Sequence, residues 1–157
     1  MDLIPSFQIN HEKLVPGIYV SRIDKMDENY ITTFDIRMKL PNREPMMQGN
    51  AMHTIEHLAA TYLRANEEWK DQIIYWGPMG CLTGCYFIMK GLREPKDILQ
   101  LMIDTFEFCA NFEGEIPGAQ PKECGTYIYH DLAMAKYEAK KYLEILKNDP
   151  CMVYPEY

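Results

Sequence analysis

Long apolar runs are missing from this 157-residue chain. No stretch approaches the roughly 20 residues that cross a bilayer, so no membrane partner is expected. Positive charge is also scarce. There are 16 Lys and Arg against 23 Asp and Glu, a net charge of −7. A surface of that sign, with no basic run, repels phosphate backbones and argues against nucleic acid as a partner. The opening stretch MDLIPSFQINHEKL has no basic segment followed by an apolar one, so no secretion signal is read there and a cytoplasmic location is expected. The five cysteines are odd in number, which does not fit a complete disulfide framework and implies free thiols in a reducing compartment. Histidine is sparse, with four in the chain. Repeats, low-complexity tracts and linkers are absent, and one domain over residues 1–157 is expected.

What is present reads as alternating strands and helices. GIYVSRID (17–24) has strand character and KMDEN (25–29) reads as a turn. YITTFDIRMK (30–39) alternates, with Tyr30, Thr32, Phe34, Ile36 and Met38 on one face and Ile31, Thr33, Asp35, Arg37 and Lys39 on the other. That second, largely polar face is expected to be free to meet another subunit. A helix is predicted from Asn50, as N-cap, to Ala65, with Met52, Ile55, Ala59, Tyr62 and Leu63 as its buried stripe. IIYW (73–76) and CYFIMK (85–90) read as strands around the turn GPMG (77–80). Residues 95–112 begin with Pro95 at a first helical position and read as a helix, and another is expected over 131–147 after a proline-rich loop at 114–125. Together these predict an α+β fold: an antiparallel β-sheet covered by helices on one face, a two-layer α/β sandwich.

The chemistry concentrates in MHTIEH (52–57). His53 and His57 stand four apart, so on a helix both imidazoles rise from one face and can grip one divalent cation. Glu56 sits between them, where a general base is useful. The plain alternative is a solvated helix face carrying two unrelated histidines. A catalytic site needs a third protein ligand and an open position. Two thiols are candidates, and spacing alone does not choose between them. Cys81 sits in the glycine-flanked turn GPMGCLTG, where a thiol is either exposed and reactive or simply a small turn residue. Cys124 ends the proline-rich loop. His130, just before the last helix, reads as a capping or packing residue, and Cys85, Cys109 and Cys151 as structural thiols.

Three functions are compatible with this pattern. H-x-x-E-H is also the signature of inverzincin metallopeptidases, in which Glu56 would activate water. A structural metal protein would close a tetrahedral site with both histidines and two cysteines. The third follows from a resemblance. SFQINH, TTFDIRMKLPN, MHTIEHLAATYLR, GPMGCLTGCY and ECG followed by HDLAMAK occur in the order and spacing of S-ribosylhomocysteine lyase, the LuxS family of autoinducer-2 synthesis, and cover nearly the whole chain.

The resemblance implies a homodimer with two active sites at the subunit interface. It implies one divalent metal per subunit, iron(II) with zinc or cobalt able to substitute, held by His53, His57 and Cys124. Cys81 and Glu56 would be the acid/base residues with Arg37 beside them; Ser6, His11, Arg37 and Arg64 would bind the substrate, S-ribosylhomocysteine. The implied reaction shifts a carbonyl twice along the sugar and then eliminates homocysteine, leaving 4,5-dihydroxy-2,3-pentanedione. This sequence departs from the family pattern at Tyr75, Trp76 and Gly77, ahead of the PMGC turn, and in the CGTY continuation after Cys124.

Overall fold

Strand pairing organises the chain into one four-stranded antiparallel sheet. The computed structural model describes residues 4–157. In chain order the elements are β1 (Gly17–Met26), β2 (Asn29–Arg37), α1 (Gly49–Ala65), β3 (Ile73–Pro78), β4 (Gly84–Lys90), α2 (Pro95–Asn111) and α3 (Leu132–Lys147). The sheet order is β1-β2-β4-β3. The β1–β2 turn is tight, with Met26 opposite Asn29, and Asp27 takes the positive φ (53°) that closes it. Among the described residues the α-helices α1, α2 and α3 lie against the sheet and one another. No helix among the described residues is long and apolar enough to cross a membrane.

The core is the layer between sheet and helices. Ile18, Phe34, Ile36, Phe87 and Met89 from the strands meet Met52, Ile55 and Leu58 of α1, Met102 and Phe106 of α2, and Ala139 and Tyr142 of α3. Phe106 packs edge-on against Tyr142, with ring centroids 4.7 Å apart, and Tyr142 donates to the Gly17 carbonyl at 2.7 Å. The stripe expected on α1 is buried at Met52, Ile55, Ala59 and Leu63. Tyr62 is only half-buried and packs on Phe108 at the rim.

Helix ends follow local chemistry. Asp131 caps α3 by accepting from the Met134 N–H at 2.9 Å. The Glu94 N–H donates to Asp97 at 2.7 Å ahead of Pro95. At α1 the N-cap is Gln48, not Asn50. The Met47 N–H is tied to the Leu82 carbonyl at 3.0 Å, and that anchor sets where the helix starts.

The far face of the sheet departs from expectation. Asp35, Arg37 and Lys39 are buried, at 1, 3 and 5% exposure, so this end of β2 is not free. Residues 148–157 return across it. Ile18 N–H donates to the Cys151 carbonyl at 3.0 Å, and Tyr154 stacks on Tyr19 with centroids 4.6 Å apart. Lys39 meets both Glu138 oxygens at 3.0 Å. Charged groups tolerate this burial because each is paired. Farther along, Ile31 and Thr33 are only half-buried and Ile23 is exposed.

Candidate metal centre and active site

α1 brings His53 and His57 onto one face, their Nε2 atoms 3.1 Å apart. Each ring is oriented by a backbone carbonyl. His53 Nδ1 lies 2.7 Å from the Tyr129 oxygen and His57 Nδ1 lies 2.7 Å from the Pro117 oxygen. A carbonyl only accepts, so each Nδ1 carries the hydrogen and each Nε2 presents a bare lone pair. Two such nitrogens 3.1 Å apart are placed to share one proton or to bind one metal cation.

Loop 112–131 supplies the sulfur. Turns fix it, with Glu123 and Cys124 N–H groups both donating to the Gln120 carbonyl at 3.0 Å. Cys124 Sγ then lies 3.4 Å from His53 Nε2. The loop approaches this closely because of Gly118. Its φ is +71°, and an added Cβ would sit 3.1 Å from His57 Nδ1.

A fourth group joins them. The donor atoms of His53, His57, Cys124 and His130 all lie within 4.8 Å of one another. His130 therefore does not merely cap or pack, and Asp131 makes the cap. The Thr54 hydroxyl donates to the Asn50 carbonyl and accepts from the Asp131 N–H, both at 3.0 Å. Its remaining lone pair accepts from His130 Nδ1, also 3.0 Å away. His130 Nε2 is thus unprotonated too, and it is buried without a partner. Burial first, then the neighbouring His53 and His57, push the His130 pKa down to about 4. Three imidazole lone pairs and a thiol converging on one point fit a divalent ion of the zinc, iron or cobalt type. Cys81 is not in this group. Nothing in the local sequence marks His130; it follows CGTYIY with no recognisable ligand spacing.

Glu56 borders the centre, lining a cleft of about 280 Å³ with His57, Thr61, Pro117 and Gly118. Cys81 belongs to a second cleft of about 300 Å³, shared with His11, Asn42, Glu44, Met46 and Thr83. Its turn spans residues 79–83 and is held by Leu82 N–H to Met79 O at 3.0 Å, with Leu82 at φ 57°. Arg37 reaches this turn, its Nη1 3.9 Å from Cys81 Sγ. Burial works against the Arg37 cation, but the charge and hydrogen bonds of Asp35 outweigh it and raise the pKa above its ordinary value. His11 is oriented by Nδ1–H to the Ile9 carbonyl at 2.8 Å, so its Nε2 is the free nitrogen.

Ser6 lines a third cleft, of about 410 Å³, on the open part of the sheet with Ser21, Thr33, Tyr75 and Tyr86. Of the three unusual residues before the PMGC turn, Tyr75 faces this cleft, while Trp76 and Gly77 are buried. Arg64 is engaged elsewhere. Its two Nη atoms donate to the Ile73 and Ile74 carbonyls at 2.9 and 3.0 Å, clamping β3 to α1.

The sequence model of one family, S-Ribosylhomocysteinase (LuxS), matches residues 4–150. The chain belongs to that family. Curated relatives are similar over nearly their whole length. An S-ribosylhomocysteine lyase of Phocaeicola vulgatus is 60% identical over 149 residues, 94% of this chain and 92% of that protein. One from Porphyromonas gingivalis is 59% identical over 143 residues, 91 and 90% of the two chains. One from Clostridium beijerinckii is 52% identical over 158 residues, 99% of each. Within this LuxS chain the histidine–thiol centre and the Cys81 cleft are separate constellations.

Proposed function

We propose that the protein cleaves the thioether of S-ribosylhomocysteine, giving homocysteine and 4,5-dihydroxy-2,3-pentanedione. The observation that carries this reading is the convergence of three imidazoles and the Cys124 sulfur, in a chain matching lyases of that name from end to end. His53, His57 and Cys124 would hold one divalent ion per subunit, iron(II) with zinc or cobalt able to replace it. When bound, the ion supplies a Lewis acid for the sugar's carbonyl and hydroxyl oxygens.

The residues then have to move protons. The thioether sulfur is on C5 and the carbonyl starts at C1. Two successive 1,2-shifts bring the carbonyl to C3, each taking a proton from one carbon and returning it to the next. Cys81, as thiolate, does this on one side of the sugar, and Glu56 moves protons on the other. With the carbonyl at C3, the C4 proton is acidic. Its removal expels the C5–S electron pair onto sulfur, which takes up a proton as the homocysteine thiol, and the C4–C5 enol left behind moves its hydroxyl proton to C5 to give the dione. No water is consumed. Arg37 favours the thiolate by its charge and lines the site with Ser6, while His11 binds near the homocysteine end. Arg64, tied to β3 carbonyls, acts there through the wall of the site.

The two constellations have to meet, and we infer that a second copy brings them together. A two-fold dimer would seat the open sheet face, with exposed Phe7, Ile23, Ile74 and Tyr75, against its equivalent. Each centre of His53, His57 and Cys124 would then face a Cys81 cleft of the other subunit. The reaction takes place in the cytoplasm in this reading. Incubation with S-ribosylhomocysteine followed by NMR tests it: both products should appear in equal amounts. Hydrolysis of an unfolded peptide, with the thioether left intact, would instead identify a metallopeptidase.

A further inference from the structure

An unbroken series of hydrogen bonds runs from the C-terminal strap to the Cys81 sulfur. Tyr154 donates its hydroxyl hydrogen to Asp35 Oδ2 at 2.8 Å. Asp35 receives Arg37 in a two-pronged pair, Nε to Oδ1 at 3.0 Å and Nη2 to Oδ2 at 2.7 Å. The third guanidinium nitrogen, Nη1, donates to Thr83 Oγ1 at 2.7 Å. Thr83 Oγ1 lies 3.1 Å from Cys81 Sγ.

The direction of the last bond follows from the others. A guanidinium has no acceptor, so the Thr83 oxygen accepts from Arg37. Its one hydrogen remains, and the Cys81 sulfur is the partner in reach. A hydroxyl polarised by a cation and aimed at sulfur stabilises the thiolate over the thiol. The network lies largely out of water: Asp35 is 1%, Arg37 3% and Thr83 7% exposed. Asp35 needs its third donor. Without Tyr154, Oδ2 would be left to Arg37 alone, drawing the guanidinium toward Asp35 and away from the turn.

We propose that Thr83 and Tyr154 are positioning residues for the Cys81 base: Thr83 donates to the thiolate, and Tyr154 holds the Asp35–Arg37 pair in the pose that makes Thr83 a donor. This rests on the reading of Cys81 as the base. The groups packed around the network are Tyr19 of β1, Tyr86 of β4, and Cys151 and Tyr154 of the strap, with His11 and Glu44 across the cleft. Burial first, then Asp35, raises the Tyr86 and Tyr154 hydroxyls, and burial with Cys151 raises Tyr19, so all three stay neutral. Arg37 and Asp35 therefore carry the charge inside the network. His11 and Glu44 are the same in every variant below, so their effect cancels in the comparison.

The test is alkylation of the metal-loaded protein by iodoacetamide between about pH 5 and about pH 9, with Cys81 resolved from the other thiols by peptide mass spectrometry. Thr83→Val should slow Cys81 alkylation near neutral pH about 10-fold and move the profile to higher pH, and Thr83→Ser should restore it. Tyr154→Phe should shift the profile the same way by about 2- to 3-fold. In Thr83→Val and Tyr154→Phe kcat should fall in step with alkylation while KM stays, and Thr83→Ser should recover both rates. A Thr83→Val profile superimposed on the parent, or a Thr83→Ser profile as slow as Thr83→Val, would overturn the Thr83 assignment. An unmoved Tyr154→Phe profile would overturn that of Tyr154. A shifted profile with kcat unchanged would leave the network standing and remove Cys81 from the role of base.

Discussion

His53 and His57 face each other through their Nε2 atoms, 3.1 Å apart, each ring fixed by a carbonyl on loop 112–131. Helix and loop thus meet in an arrangement suited to a shared cation. The same loop brings Cys124 as the third donor and sets His130 beside them.

Removal of one donor should empty the centre. His57→Ala is expected to strip the bound ion while leaving the far-ultraviolet circular dichroism unchanged, because the imidazole is only half-buried. Elemental analysis showing full occupancy in this variant would contradict the ligand assignment.

Gly118 offers a gentler perturbation that replaces no donor. A Cβ there would lie 3.1 Å from His57 Nδ1, on backbone already at φ +71°. Gly118→Ala should displace the Pro117 carbonyl that orients the ring and weaken metal affinity about 10–100-fold. Competition with a chromophoric chelator measures it.

His130 predicts a pH dependence for the stripped protein. Its pKa is about 4 in the folded chain, against about 6.5 for an unfolded histidine. Above pH ~6.5 the ring is neutral in both states and costs nothing. Between about 6.5 and about 4 the unfolded chain takes up a proton that the folded chain refuses, so this group lowers stability as pH falls. Urea midpoints should decline through that window, and the decline should be shallower in His130→Gln.

Cys81 should be needed for chemistry and dispensable for metal. Cys81→Ala is expected to keep one ion per chain and lose about 10²–10⁴-fold in turnover. Near-parent turnover would exclude it as a base.

The bound metal should declare itself through oxygen. Iron(II) beside thiols makes the iron-loaded protein sensitive to air, and loading with cobalt or zinc should protect it. An iron-loaded enzyme whose activity survives hours in air would argue against that metal.

Much of this was legible in the residue pattern, and the failures share a cause. The β2 alternation places Thr32, Phe34 and Ile36 in the core, and the i, i+4 histidines fall together on α1 as helical geometry requires. The same alternation assigns Asp35, Arg37 and Lys39 to an open face because they are charged. Their burial depends on partners distant in sequence, Glu138 and Tyr154, which no local period reveals. His130 was hidden for the same reason: it meets Thr54 across 76 positions. Asn50 has the chemistry of an N-cap, but the Met47–Leu82 tie sets the helix start. The choice between Cys81 and Cys124 as neighbour of the histidines required the loop's turns, which proline and glycine content announces without specifying.

The most direct test of the central claim, that each reactive centre joins the histidine–thiol group of one chain to Cys81 of another, is a mixing experiment. Cys81→Ala and His57→Ala proteins, each inactive alone, are unfolded together, refolded with metal and assayed on S-ribosylhomocysteine for released thiol. A centre shared between subunits predicts recovery to about one quarter of parent activity, since half the dimers are mixed and each holds one intact site. Mixed dimers that form, as shown by native mass spectrometry, yet stay inactive would contradict it.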